Sequence, residues 1–486
     1  MKKIISIISI ALVMAACSEK NPFLVEWETP YGIPPYEEIA VEDYIPAIQK
    51  GIEQQNAEIE AITSNPDAPT FENTIVPLEL SGEILSKVTG VLYNVSETDR
   101  SDSLDAVMSQ AIPLLSEHSD NINFNKALYN RIAAVYEGDQ SGLTREQQVV
   151  LKKYYDGFTR NGIDLPEVTQ ARLREINSEM ATKTQQIGNN ILAESNAFAA
   201  KFGFSVSEYP ARMTTTEDRE LRRQYNEAYT SRGNNGNEND NNAVVKELVT
   251  VRLEKAKLLG YEDYAAFALE DRMAKNSANV YKLLDEIWTP ALAQAKRELA
   301  DINAEIKKEG GDFQAEGWDW RYYFDKAKKA KYDLDENELR PYFELGHVRE
   351  GIFYVANKLY GITLTELNDV PVYEPDVKVY EVKDADGSFL GLFYADYFPR
   401  AGKRGGAWMS NFREQAGEVR PLIYNVASFT KPAGNMPSLL TLDEVETMFH
   451  EFGHALHGML TKCNYKGVSG TSVAQDFVEL PSQIME

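Results

Sequence analysis

Residues 447–460 read "TMFHEFGHALHGML", which places three of the chain's five histidines, His450, His454 and His457, around a single glutamate, Glu451. Thr441 and Glu444 form a Thr-x-x-Glu capping box just ahead, so a helix is expected to begin at about Leu442. At about 100° per residue, His454 lies about 40° around the axis from His450 and about 6 Å along it, so both imidazoles can reach one ion. Glu451 points about 100° away, beside such an ion rather than at it. His-Glu-x-x-His is the pattern of a zinc hydrolase: two neutral nitrogen ligands one turn apart, with a carboxylate between them for proton transfer. Zinc lowers the pKa of a water it binds to about 7, and Glu451 is placed to take that water's proton during attack on a carbonyl carbon. The reaction class implied is amide hydrolysis without a covalent intermediate.

His457 shares the face of His450 but lies about 10.5 Å along the axis, too far for one tetrahedral ion to accept all three histidines from a straight helix. It is read as a packed or substrate-facing residue. A third ligand must come from another element, and "DFVELPSQIME" (476–486) offers Asp476, Glu479 and Glu486. A site of two histidines and one glutamate leaves the fourth position for water. Asp476, and Glu446 one turn before His450, are candidates for outer carboxylates that orient the ligands; solvated helix carboxylates are the competing reading.

Upstream of this helix, residues 370–429 change character. "DVKVYEV" (376–382) and "SFLGLFYADYF" (388–398) read as strands joined by the turn residues "DADG" (384–387), and "PLIYNVASF" (421–429) adds another strand. The remainder reads helical. Isoleucines 45, 48, 52, 59 and 62 mark one apolar face of an early amphipathic helix, and the tract "RGNNGNENDNN" (232–242) reads as a loop.

The composition suits a globular protein, with 43% hydrophobic residues and a mean hydropathy of -0.41. A net charge of -25 excludes nucleic acid as a partner, since so acidic a surface repels phosphate backbones. At the N-terminus, "MKK" precedes the apolar run "IISIISIALVM" and then "AAC", a secretion signal in which Cys17 resembles the lipidated cysteine of a bacterial lipoprotein. The expectation is a signal peptide over 1–16, a lipid anchor at Cys17, and a periplasmic or outer-membrane-associated location. Cys463 then remains alone and can form no internal disulfide.

"FHEFGHALHG" followed by "SGTSVAQDFVELPSQIME" resembles the active-site signature of the thimet oligopeptidase family of zinc peptidases. "NPFLVEWETPYGIPPYEEI", "PTFENTIVPLELSGE", "GWDWRYYFDKAKKAKYDLDENELRPYFEL" and "GGAWMSNF" are most similar to the bacterial peptidyl-dipeptidases of that family, also called dipeptidyl carboxypeptidases. The resemblance runs from about residue 21 to the last residue. It implies zinc ligands at His450, His454 and Glu479 and a catalytic glutamate at Glu451. It further implies a mainly α, elongated, two-lobed body split by a deep channel that admits oligopeptides, with a small sheet near the zinc. An edge of that sheet at Gly405, Gly406 and Ala407, next to Trp408, is expected to pair with the substrate backbone; a structural turn is the competing reading for the glycines.

The expected organisation is an N-terminal helical region over 17–210 and a catalytic domain over 211–486, in a monomer. Two departures from the family pattern stand out. The chain is shorter between "AESNAFAAKFGFS" and "RELRRQYNEAYTSRGNN", and it ends at "PSQIME", where family members continue into a helical region carrying oxyanion-stabilising groups. It therefore reads as a truncated metallopeptidase that releases C-terminal dipeptides when whole. The competing readings are an endo-acting oligopeptidase and an inactive peptide-binding fragment.

Overall fold

The computed structural model describes residues 21–333, 336–432 and 436–486; the expected signal segment and Cys17 lie outside the described residues. Helices dominate, as expected, and the first long one, Tyr44–Thr63, buries Ile48, Ile59 and Ile62 along the predicted apolar face. The tract at 232–242 forms turns, and the Gly233 amide and Asn237 side chain donate to the buried Glu194 carboxylate at 3.1 and 2.7 Å.

Five strands form one sheet: β1 (Thr363–Leu367), β2 (Lys378–Lys383), β3 (Phe389–Asp396), β4 (Trp408–Arg413) and β5 (Leu422–Val426), in the order β1-β2-β3-β5-β4. β2 and β3 make the predicted hairpin. Its turn closes through the Gly387 amide on the Asp384 carbonyl at 2.9 Å, with Gly387 at φ 86°, a conformation open to glycine without strain. β3 and β5 run parallel, and every other neighbouring pair is antiparallel. β1 adds a strand to those expected, and its "TLTEL" alternates in the way a half-buried strand does.

β3 and β5 are almost wholly buried because the sheet is a wall between two cores. Leu392, Tyr394, Leu422, Tyr424 and Val426 face the early helices, among them Ile48, Val88 and Leu92. Phe393, Ala395 and Ile423 face the other way, toward Ile352, Met448, Phe452 and Met459. Successive strand residues point to opposite faces, so a continuous apolar run is what such a wall requires. One core therefore joins residues 23–111 to the sheet at 377–426, so the N-terminal helices are built into the scaffold of the site.

At the end of β3, buried Asp396 accepts from Lys403 Nζ at 2.7 Å and Arg400 Nη1 at 2.8 Å, and Lys403 also donates to the Asp396 and Phe398 carbonyls. Burial pushes the Asp396 carboxyl up, but Arg400 and Lys403 outweigh it and hold it below the ordinary carboxylate range. This network fixes the loop that leads to Gly405, Gly406 and β4.

Candidate active site

The histidine helix spans Leu442–Leu460 and begins at the predicted box: Thr441 Oγ accepts the Glu444 amide at 3.1 Å, and the Glu444 carboxylate accepts the Thr441 amide at 2.8 Å. Met448, Phe452, Ala455, Leu456 and Met459 recur at helical spacing and bury against the sheet. That choice of face turns His450 and His454 away from the core, with ring centroids 5.0 Å apart and planes at 83°.

A short helix, Glu479–Met485, lies across this one, and Pro481 is tolerated because it falls in the first turn. The crossing is at Gly453. A Cβ there would stand 2.6 Å from Ser482 Cα and 2.7 Å from the Pro481 carbonyl oxygen, both backbone atoms. Only glycine admits this approach, and Met485 completes it by entering the same core as Phe452. Glu479 is thereby delivered to the histidines, its Oε2 lying 3.2 Å from His450 Nε2 and 3.0 Å from His454 Nε2.

Two imidazoles and one carboxylate within 4.8 Å of one another form a donor set suited to a divalent transition metal. A tetrahedral ion with bonds of about 2.0–2.1 Å needs donors about 3.3–3.4 Å apart, close to the separations present. The Glu479 side chain is 53% exposed, against 25% for His450 and 12% for His454, so the open side of the site lies over the carboxylate. Burial acts first on the His454 imidazole and pushes its pKa down, toward the neutral form a metal requires. On Glu479 burial acts upward, but a hydrogen bond from Ser482 and the neighbouring His454 and His450 outweigh it and lower its pKa.

The other candidates fall into different places. Glu451 is 7% exposed and its Oε2 has no hydrogen-bond partner among the described residues, which leaves it a free acceptor beside the donor set. Burial, first, raises its pKa to about 7; His450 works against the shift and Glu479 adds to it. Glu486, weighed above as a ligand, instead places Oε2 3.1 Å from His450 Nδ1, where it fixes the ring with Nε2 toward Glu479. Ser482, not among the residues singled out from the sequence, donates to Glu479 Oε2 at 2.9 Å; its place three residues after Glu479 is the signal for it along the chain.

Two expected outer carboxylates are corrected. Asp476 binds the Met273 and Ala274 amides, both at 2.9 Å, and so anchors a loop rather than a ligand. Glu446 is exposed and makes no hydrogen bond to His450 among the described residues; the carboxylate on His450 Nδ1 is that of Glu486. His457 is outside the donor set, in a groove of about 330 Å³ lined by Tyr360, Leu460, Leu480 and Ile484. Gly405 and Gly406 are exposed, and Gly406 takes φ 101°, so a turn is present there; it feeds directly into β4, an edge strand.

The family model for peptidase family M3 matches residues 212–486, which include every residue of this site. The chain belongs to peptidase family M3. It is a metallopeptidase, a hydrolase of peptide bonds that acts on oligopeptides. The M3 chain is 39% identical over 502 residues to dipeptidyl carboxypeptidase of Escherichia coli K12, covering 96% of this chain and 74% of that one. It is 33% identical over 508 residues to oligopeptidase A of the same organism, again covering 96% and 74%. Among solved structures it is similar to PZ peptidase A with inhibitor 2, with a TM-score of 0.51 and 14% identity over 90% of this chain and 67% of that one. That likeness speaks to the mainly α fold.

Gly453→Ala is expected to push the Glu479 helix off the histidine helix. The variant should lose stability by about 1–3 kcal/mol in denaturant titration. It should also bind zinc more weakly than the parent protein in a chelator competition.

Proposed function

We propose that this M3 peptidase holds one zinc ion on His450, His454 and Glu479, uses Glu451 as its general base, and releases dipeptides from free C-termini of oligopeptides. The observation that carries the reading is the meeting of three donors beside a buried, unpartnered Glu451 oxygen. The dipeptide specificity draws its support from the 39% identity to dipeptidyl carboxypeptidase over nearly the whole chain.

When bound, zinc supplies Lewis acidity that polarises the scissile carbonyl and acidifies water. Proton movement belongs to Glu451: its Oε2 takes a proton from the attacking water and returns it to the departing amine nitrogen. Glu451 is 7% exposed, and this burial limits the bulk water that could compete for that oxygen. Glu486 holds His450 in the tautomer that presents Nε2, and Ser482 turns Glu479 Oε2 toward both rings. The open edge of β4, approached through Gly405, Gly406 and Ala407, is suited to receive an extended peptide as an added strand. From the pattern of residues 1–17 alone, the protein is proposed to be exported and anchored by lipid at Cys17.

A Glu451→Gln variant should retain zinc, measured by metal analysis after gel filtration, and lose hydrolysis by at least about 100-fold, within the range general-base removal causes. His454→Ala should lose the ion itself, and stoichiometric zinc in that variant would contradict the ligand assignment. For specificity, one peptide with a free C-terminus and its amidated twin should be compared by mass spectrometry of the products. Dipeptide release from the free acid only is expected, and equal cleavage of both would favour the endo-acting reading.

A further inference from the structure

The two parts of the donor set are joined by residues 461–478, and this connector is held from outside the catalytic core. Glu79, on the helix Val76–Leu80 far earlier in the chain, is 4% exposed. Its Oε1 accepts the Tyr154 hydroxyl at 2.6 Å, and its Oε2 accepts the Gly467 amide at 3.1 Å. A Cβ at Gly467 would stand 2.7 Å from Glu79 Oε1, so the connector lies directly against this carboxylate.

Two further groups, both on the helix Arg145–Arg160, grip neighbouring parts of the connector. Glu146 accepts the Asn464 and Tyr465 amides on Oε1, the latter at 3.2 Å, and the Asn464 side chain on Oε2 at 2.7 Å. Lys153 donates to the carbonyls of Gly467 at 2.6 Å and Ser472 at 3.3 Å. The Tyr465 ring packs edge-on against Phe71 at 5.5 Å between centroids. On its other side the connector touches the histidine helix, where a Cβ on Gly470 would lie 3.3 Å from Gly458 Cα.

A loop with so many amides committed to fixed acceptors has few conformations left, and its far end carries Glu479. We propose that Glu79 and Glu146 are positioning residues of the metal site: by clamping residues 464–467 onto the N-terminal helices, they set where Glu479 meets His450 and His454. The proposal rests on the assignment of those three residues as zinc ligands. It makes the N-terminal helices part of the catalytic apparatus, although none of their side chains reaches the donor set.

The test compares Glu79→Met, Glu79→Gln and Glu146→Ala in the full chain, with two readouts: zinc affinity by competition against a chromophoric chelator, and amide hydrogen exchange over residues 464–485. Met matches the volume of Glu but leaves both the Gly467 amide and the Tyr154 hydroxyl without an acceptor, whereas Gln keeps a carbonyl oxygen for the Gly467 amide and an NH2 that the Tyr154 hydroxyl oxygen can accept. Glu146 is only half-buried, so its variant folds even if Glu79→Met does not.

Glu79→Met and Glu146→Ala are expected to weaken zinc binding about tenfold, the scale seen when supports of a metal ligand are removed, and to speed exchange at 479–485. Glu79→Gln should restore both readouts to the parent values, which a loss of packing alone would not predict. Unchanged zinc affinity and unchanged exchange in folded Glu146→Ala would overturn the proposal. If the parent protein binds no zinc, the ligand assignment fails, and the exchange readout alone decides the clamp.

Discussion

The contact on which the site depends is the one between Gly453 and the backbone of Pro481 and Ser482. Two helices cannot approach this closely with a side chain between them, and at this crossing Glu479 comes within reach of both histidines. The two ligands on the histidine helix come from local periodicity. The third depends on the absence of one methyl group. Once the approach is made, Ser482 and Met485 lock it, the first by orienting the Glu479 carboxylate and the second by entering the core.

Behind that crossing stands the sheet. Alternate residues of β3 and β5 serve two different cores, so the histidine helix and the early helices are fixed to opposite faces of the same strands. Displacement of either layer would be felt by the other through a close-packed wall, since protein interiors tolerate little change of volume. The connector at 461–478 adds a second tie between the same layers, this time by hydrogen bonds to Glu79 and Glu146. The site is therefore fastened at both ends to helices that lie several hundred residues earlier in the chain.

Much of this was legible in one dimension. The capping box at Thr441 marked the helix start, the four-residue spacing paired His450 with His454, and the axial displacement of His457 set it apart from them. Those are statements about one helix, where geometry is fixed by the backbone. The β2–β3 hairpin was equally visible from "DADG" between apolar runs. What escaped were features whose partners are distant. Asp476 and Glu446 have the right spacing to support ligands, yet one is taken by the amides of Met273 and Ala274 and the other faces solvent. Glu486 was legible as a nearby carboxylate, but its place on the far nitrogen of His450 follows from the angle at which the short helix crosses.

The sequence by itself determined the chemistry on offer: two histidines on one helical face with a glutamate beside them, a second glutamate further along, and a family signature running through both. Local hydrogen bonding and a repeat of 3.6 residues suffice for that, because they act between near neighbours. The resemblance named Glu479 as the third ligand, but the tertiary structure alone decided how that carboxylate reaches the histidines, that Glu486 supports one of them, and that Asp476 anchors a loop instead. Those choices depend on the approach distance between two helices and on buried acceptors some 390 positions away, neither of which any spacing along the chain encodes.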